Sequence, residues 1–251
     1  GSDAAVNNSG DDYVAWCWEA SDSTVTNNDG TIESQVRAGN GFSIVKWTGT
    51  GENIAGTVGH GLPSTPQVII TKVLTGTFQW YSWFDGFAAD EYINLNQPDP
   101  KNTDNMWNNT LPTSTVFSVT SNSMNDLGAE YIAYCFAGTP NVSSFGRYTG
   151  TTAQQTVDVG FEPAFILIKN TSASAKWALY DNARNTSNPR NCRLSPDTSE
   201  AEDCSGSLYV DFSATGFTIP ATTHVMLNAS GNDYIYVAFG GQQNQTTLEF
   251  A

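Results

Sequence analysis

The most apolar stretches of the chain, Phe165-Ile166-Leu167-Ile168 and Tyr131 to Phe136, are apolar at successive positions and not only at alternate ones, which predicts central strands covered on both faces. Around them β-branched and aromatic residues dominate, and turn chemistry recurs roughly every 8 to 12 residues. Gly59-His60-Gly61, Asp85-Gly86, Gln97-Pro98-Asp99-Pro100 and Asn188-Pro189 are the clearest of these turns. No window carries a convincing helical period. The pattern predicts an all-β protein whose units are two-sheet, jelly-roll-like β-sandwiches.

The pattern also repeats. Tyr131-Ile132-Ala133-Tyr134-Cys135-Phe136-Ala137-Gly138 is matched by Tyr234-Ile235-Tyr236-Val237-Ala238-Phe239-Gly240-Gly241, 103 positions later. Phe42-Ser43-Ile44-Val45-Lys46-Trp47-Thr48-Gly49 matches Phe145-Gly146-Arg147-Tyr148-Thr149-Gly150 with a gap, Phe42 and Phe145 again being 103 apart. The Pro66 to Lys72 string aligns with Pro163 to Lys169, Trp83-Phe84-Asp85 loosely with Ala178-Leu179-Tyr180-Asp181, and Pro98-Asp99 with Pro196-Asp197. The kept order predicts tandem homologous domains over residues 41–138 and 139–251, preceded by a polar linker at 21–40. The closing motif occurs a third time as Tyr13-Val14-Ala15-Trp16-Cys17-Trp18. Residues 1–20 are therefore either the closing strand of an upstream unit or the first strand of the first one.

Charge narrows the function. The 251 residues include 25 acidic and 10 Lys or Arg, a net charge of −15, yet only 14% of the chain is charged, so cations are scarce and carboxylates are not abundant. Such a surface repels phosphate backbones and anionic lipid, and no basic cluster offsets it, which excludes nucleic-acid partners. No apolar run approaches the roughly 20 residues of a membrane span, so membrane insertion is not expected.

Several strings resemble a known family. Asn27-Asn28-Asp29-Gly30-Thr31-Ile32-Glu33-Ser34-Gln35-Val36, Gly41-Phe42-Ser43-Ile44-Val45, Gly59-His60-Gly61-Leu62 and the Tyr131 to Phe136 run resemble a repeated domain of undefined function in tail-fibre-like structural proteins of marine and environmental bacteriophages. Gly160-Phe161-Glu162-Pro163-Ala164, Asp181-Asn182-Ala183-Arg184 and Leu194-Ser195-Pro196-Asp197-Thr198 extend the likeness into the second copy. The resemblance implies host attachment or fibre architecture at a virion surface, with other virion proteins as neighbours, and it supplies no catalytic residues. Cys192 and Cys204 depart from its pattern.

Catalysis is not expected from the residues either. The two histidines, His60 and His224, do not recur between the copies, and no His or Cys set has zinc spacing. Carboxylate pairs for glycoside cleavage exist at Asp85 with Asp99 and at Asp181 with Asp197, but acids after proline cap turns. No cofactor is expected; calcium is the one candidate, at Asp197, Glu200, Glu202 and Asp203. Cys17 and Cys135 read as small apolar filler, and Cys192 and Cys204 could bridge a polar loop.

Residues that differ between the copies are the better candidates for ligand binding. In the first copy these are Trp80, Tyr81, Trp83 and Trp107, aromatic faces suited to sugar rings; in the second they are Arg184, Arg190 and Arg193. The expectation is a non-catalytic, homo-oligomeric module at a virion surface that attaches to host cell-surface glycan or receptor. A passive fibre spacer and a polysaccharide depolymerase are the alternatives.

Overall fold

The computed structural model describes residues 8–10, 12–51, 53–120 and 122–241. The first half contains β1 (Val25–Asn27), β2 (Ser34–Ala38), β3 (Phe42–Thr48), β4 (Gly56–Gly59), β5 (Val68–Val73), β6 (Tyr81–Phe84), β7 (Glu91–Asn94), β8 (Asn102–Thr103), β9 (Val116–Val119) and β10 (Glu130–Phe136). A 3-10 turn at Asn105–Trp107 and a one-turn helix α1 at Asn122–Asn125 interrupt them. The second half contains β11 (Ser143–Thr149), β12 (Gln155–Asp158), β13 (Pro163–Asn170), β14 (Ala178–Asp181), β15 (Asp211–Ser213), β16 (Gly216–Ile219) and β17 (Asp233–Gly240). The strands form an eight-stranded sheet ordered β1-β2-β3-β10-β5-β6-β7-β8, a four-stranded sheet β11-β17-β13-β14, a three-stranded sheet β12-β16-β15 and the pair β4-β9. The protein is an all-β sandwich.

Alternation along the strands assigns the faces. On β10, Tyr131, Ala133 and Cys135 point to one side beside Trp47, Val45 and Ser43 of β3, and Trp47 meets Phe117 of β9 edge-on at 5.6 Å. Phe136, Tyr134 and Ile132 point to the other side, in register with Phe42, Ile44 and Lys46 of β3 and with Val68, Ile70 and Lys72 of β5. There Phe136 meets Phe145 of β11 and Phe239 of β17 at 5.9 and 5.8 Å. The far face of the four-stranded sheet carries Tyr236 against Phe217 of β16. Four layers result, one core cluster running through the first three and a second lying between the last two. Both β10 and β13 lie in inner layers, which is why their sequences are apolar on both faces.

The inner sheets share one order. β3-β10-β5-β6 and β11-β17-β13-β14 take their strands from the same places in each half. Trp47 lies opposite Tyr131 with rings stacked at 5.2 Å, and Tyr148 lies opposite Tyr234 at 4.8 Å. Lys72 faces Ile132, and Lys169 faces Ile235.

Register corrects two of the expected matches. Phe42 faces Phe136, but Phe145 faces Val237, and Ser143 is what faces Phe239. Lys46-Trp47-Thr48-Gly49 therefore corresponds to Arg147-Tyr148-Thr149-Gly150 without a gap. Asp181 faces Phe165 where Phe84 faces Val68, so Asp181 corresponds to Phe84 and not to Asp85.

The polar stretch 21–40 is not a linker. It holds β1 and β2, which add to the edge of the eight-stranded sheet because buried Ser34 and Val36 alternate with polar residues. Tyr13 to Trp18 forms no strand. Its rings pack across the junction of the two inner sheets instead, Trp16 on Phe165 at 5.7 Å and Trp18 on Phe239 and Phe136 at 5.3 and 6.0 Å. Residues 1–7, 11, 52, 121 and 242–251 of the expected units lie outside the described residues.

Candidate functional site

The four aromatic candidates of the first half have separate fates. Tyr81, Trp83 and Trp107 are buried in the core at 8, 4 and 2% exposure, so no sugar reaches their faces, which corrects the sequence expectation. Trp83 points to the β4-β9 side because its partner Ile69 does. Trp107 is carried inward by the 3-10 turn, whose next residue, Asn108, adopts a left-handed conformation that ends it. Trp80 stays partly exposed. It lies just before β6, where its carbonyl accepts from Leu95 at 2.9 Å and its N–H donates to the Asn96 side chain at 3.0 Å.

Three linked amides lie beside the Trp80 backbone. Asn96 donates through Nδ2 to Gln79 Oε1 at 2.5 Å, and Gln97 donates to the same oxygen at 3.4 Å. The indole stacks on Tyr134, centroids 6.4 Å apart and 14° from parallel. An aromatic residue with tethered amides at its backbone brings an apolar ring and hydrogen-bonding groups into one neighbourhood, the combination a neutral sugar requires. The sequence reading missed Gln79, Asn96 and Gln97; they are brought together only by the pairing of β6 with β7.

Behind Trp80 the inner sheets enclose a cleft of about 420 Å³. Phe42, Phe136, Phe145, Phe165 and Phe239 close one end, while Ile44, Ile70, Leu95 and Tyr134 are only partly buried.

The three arginines of the second half do not form an open anion site. Arg184 pairs with Asp181 at 2.7 Å and with Glu202, and Arg193 pairs with Asp203 at 2.9 Å. Arg190 is buried, donates to the Asn185 carbonyl and lies over the Phe212 ring. In a chain this poor in cations, each guanidinium meets internal partners before a ligand. The expectation of three ligand-binding arginines is corrected accordingly.

The same pairing disperses the calcium candidates. Glu200 is held by Lys176, Glu202 by Arg184 and Asp203 by Arg193, while Asp197 accepts the Trp177 N–H at 3.1 Å. Burial raises the Asp197 carboxyl above the usual range. Hydrogen bonds from Ser205 hold Asp203 below it. Cys192 and Cys204 are joined as a disulfide, so the grouping of their sulfurs with Glu202 offers no thiolate to a metal.

The carboxylates paired by sequence diverge as well. Asp181 is buried and accepts from the Ala183 and Arg184 backbone N–H groups, whereas Asp85 and Asp99 are exposed. His60 is fully buried between the Leu62 N–H and the Thr113 carbonyl, and burial lowers its pKa. His224 accepts the Met226 N–H at 3.2 Å. Cys135 is core filler, as read from the sequence; Cys17 is exposed.

Lys169 is buried at the junction of the two halves, donating to the Pro98 and Asn170 carbonyls at 3.0 and 2.9 Å. Burial pushes its pKa down to about 8, against the opposing pull of Asp197 and Asp99. Trp177 Nε1 reaches the Asn94 carbonyl beside it at 3.4 Å.

Among solved structures, the crystal structure of the major capsid protein P2 from bacteriophage PM2 matches with 10% identity and a TM-score of 0.24, over 81% of this chain and 99% of that one. No curated protein matches. The model of DUF7483, a domain of unknown function, matches residues 1–242, and the chain belongs to that family.

Proposed function

We propose that the chain is a non-catalytic module of a bacteriophage virion, built from two copies of one sandwich unit, which holds host cell-surface glycan at Trp80. The virion context rests on the resemblance of its sequence strings to repeated domains of phage tail-fibre-like proteins. The duplication is supported by the common strand order of the inner sheets and their matching ring stacks. The observation that carries the glycan reading is the Trp80 platform: of the four aromatics singled out by sequence, it alone is left partly exposed, bordered by Gln79, Asn96 and Gln97.

A glycan array probed with the native chain tests the reading. Binding of neutral saccharides is expected, with Trp80→Ala weakening it about tenfold or more while the melting temperature stays within a few degrees. Binding that survives Trp80→Ala, or the absence of any glycan bound, refutes it.

A further inference from the structure

The cleft behind Trp80 has a chemistry that the sugar platform does not use. Its walls are aliphatic and aromatic side chains from both inner sheets, together with Trp18, Trp80 and Leu95 from the segments beside them. A peptide or a sugar drawn inside would bury hydrogen-bonding groups without partners. An alkyl chain would bury none, and about 420 Å³ falls within the range of small-ligand sites.

The rim adds a charge. On the inner face of the eight-stranded sheet, Ile44 and Ile70 flank Tyr134, and one step outward Lys46 and Lys72 flank Ile132. Two of the ten cations of a chain with net charge −15 thus lie one row beyond the apolar cleft. Lys46 is half-exposed and shares its charge with Glu130 at 2.6 Å. Lys72 donates to the Phe78 and Gly76 carbonyls at 2.7 and 3.3 Å, neither of which neutralises it.

We infer that the cleft binds a single-chain anionic amphiphile of the fatty-carboxylate type, its alkyl chain between the sheets near Tyr134 and Leu167 and its carboxylate beside Lys72 and Lys46. The cleft shares Trp80 with the sugar platform as part of its wall, but alkyl-chain binding between the sheets does not depend on sugar binding.

Decanoate below its micellar concentration, titrated calorimetrically into the native chain, tests this. One-to-one saturable binding is expected. Lys72→Glu should weaken it about fivefold, the effect of reversing one exposed charge, and leave decanol unaffected. Leu167→Phe, which fills the cleft, should abolish binding. Should that variant fold poorly, 10-bromodecanoate gives an independent readout: it should quench tryptophan fluorescence, and less so in Trp80→Phe. Absence of saturable binding, equal affinity for decyltrimethylammonium, or quenching unchanged in Trp80→Phe would each overturn the assignment. Loss of glycan binding alone would not touch it.

Discussion

Asn125 and Asn228, 103 residues apart, do the same work in the two halves. Both are fully buried. Asn125 Oδ1 accepts the Thr50 N–H at 2.9 Å while Nδ2 donates to the Ile54 carbonyl at 2.8 Å; Asn228 accepts from Thr151 at 2.9 Å and donates to Ala153 at 2.7 Å. Three residues on, Gly128 and Gly231 take positive φ of 75° and 73°, and three further on the hydroxyls of Tyr131 and Tyr234 accept the Asp126 and Ala229 N–H groups. Asn228→Ala strands several buried partners at once and should cost about 3 kcal/mol in urea unfolding, with Asn125→Ala similar.

Gly150 belongs to the same corner. A Cβ there would stand 2.1 Å from the Ala229 carbonyl oxygen, and one on Gly49 would stand 2.1 Å from that of Asp126. Both contacts are with backbone, which cannot swing aside. Gly150→Ala should therefore destabilise by about 2 kcal/mol or more, measured the same way.

Lys169 makes stability depend on pH in a definite direction. Its folded pKa of about 8 lies below the ordinary value of 10.5, so above pH 8 the unfolded chain binds more protons than the folded one. Stability from this group rises with pH between those values. Cys135, pushed up to about 12 by burial, acts in the opposite sense above its unfolded pKa. Comparison with Lys169→Met removes that common background. From pH 7 to 9.5 the wild type should gain about 2 kcal/mol relative to the variant.

The Cys192–Cys204 bridge closes a loop with a sequence separation of 12 and braces the isolated antiparallel bridge at which Arg193 meets Asp203. Its reduction should lower stability by about 3 kcal/mol. In the native, unreduced chain, alkylation should modify Cys17 and spare Cys135, whose thiol is buried and ionises only near pH 12. Intact-mass spectrometry counts the adducts.

Much of the fold was legible because burial on both faces leaves an unmistakable apolar run, as at Tyr131 to Phe136. Strand register was less so. A one-residue slip between Asp85 and Asp181 looks trivial in an alignment but changes which face a side chain takes. The candidate site was legible only at Trp80: Trp83, three positions along, is placed in the core by pairing with Ile69, a long-range fact that local sequence does not carry. The arginines of the second half were misread for a similar reason, since Glu202 and Asp203, adjacent in the chain, reach back across 18 and 10 positions to Arg184 and Arg193. The Asn-x-x-Gly-x-x-Tyr string around Asn125 and Asn228 stands in both halves but was passed over in the sequence, because its meaning lies in its hydrogen bonds.

Size-exclusion chromatography of bacterial surface polysaccharide mixed with the protein, with light scattering to read polymer length, separates glycan attachment at Trp80 from cleavage and from passive architecture. Attachment without cleavage predicts co-elution with polymer of unchanged length, lost in Trp80→Ala. Shortened fragments would mark a depolymerase, and separate elution across a panel of host polysaccharides would leave a passive spacer; either result contradicts it.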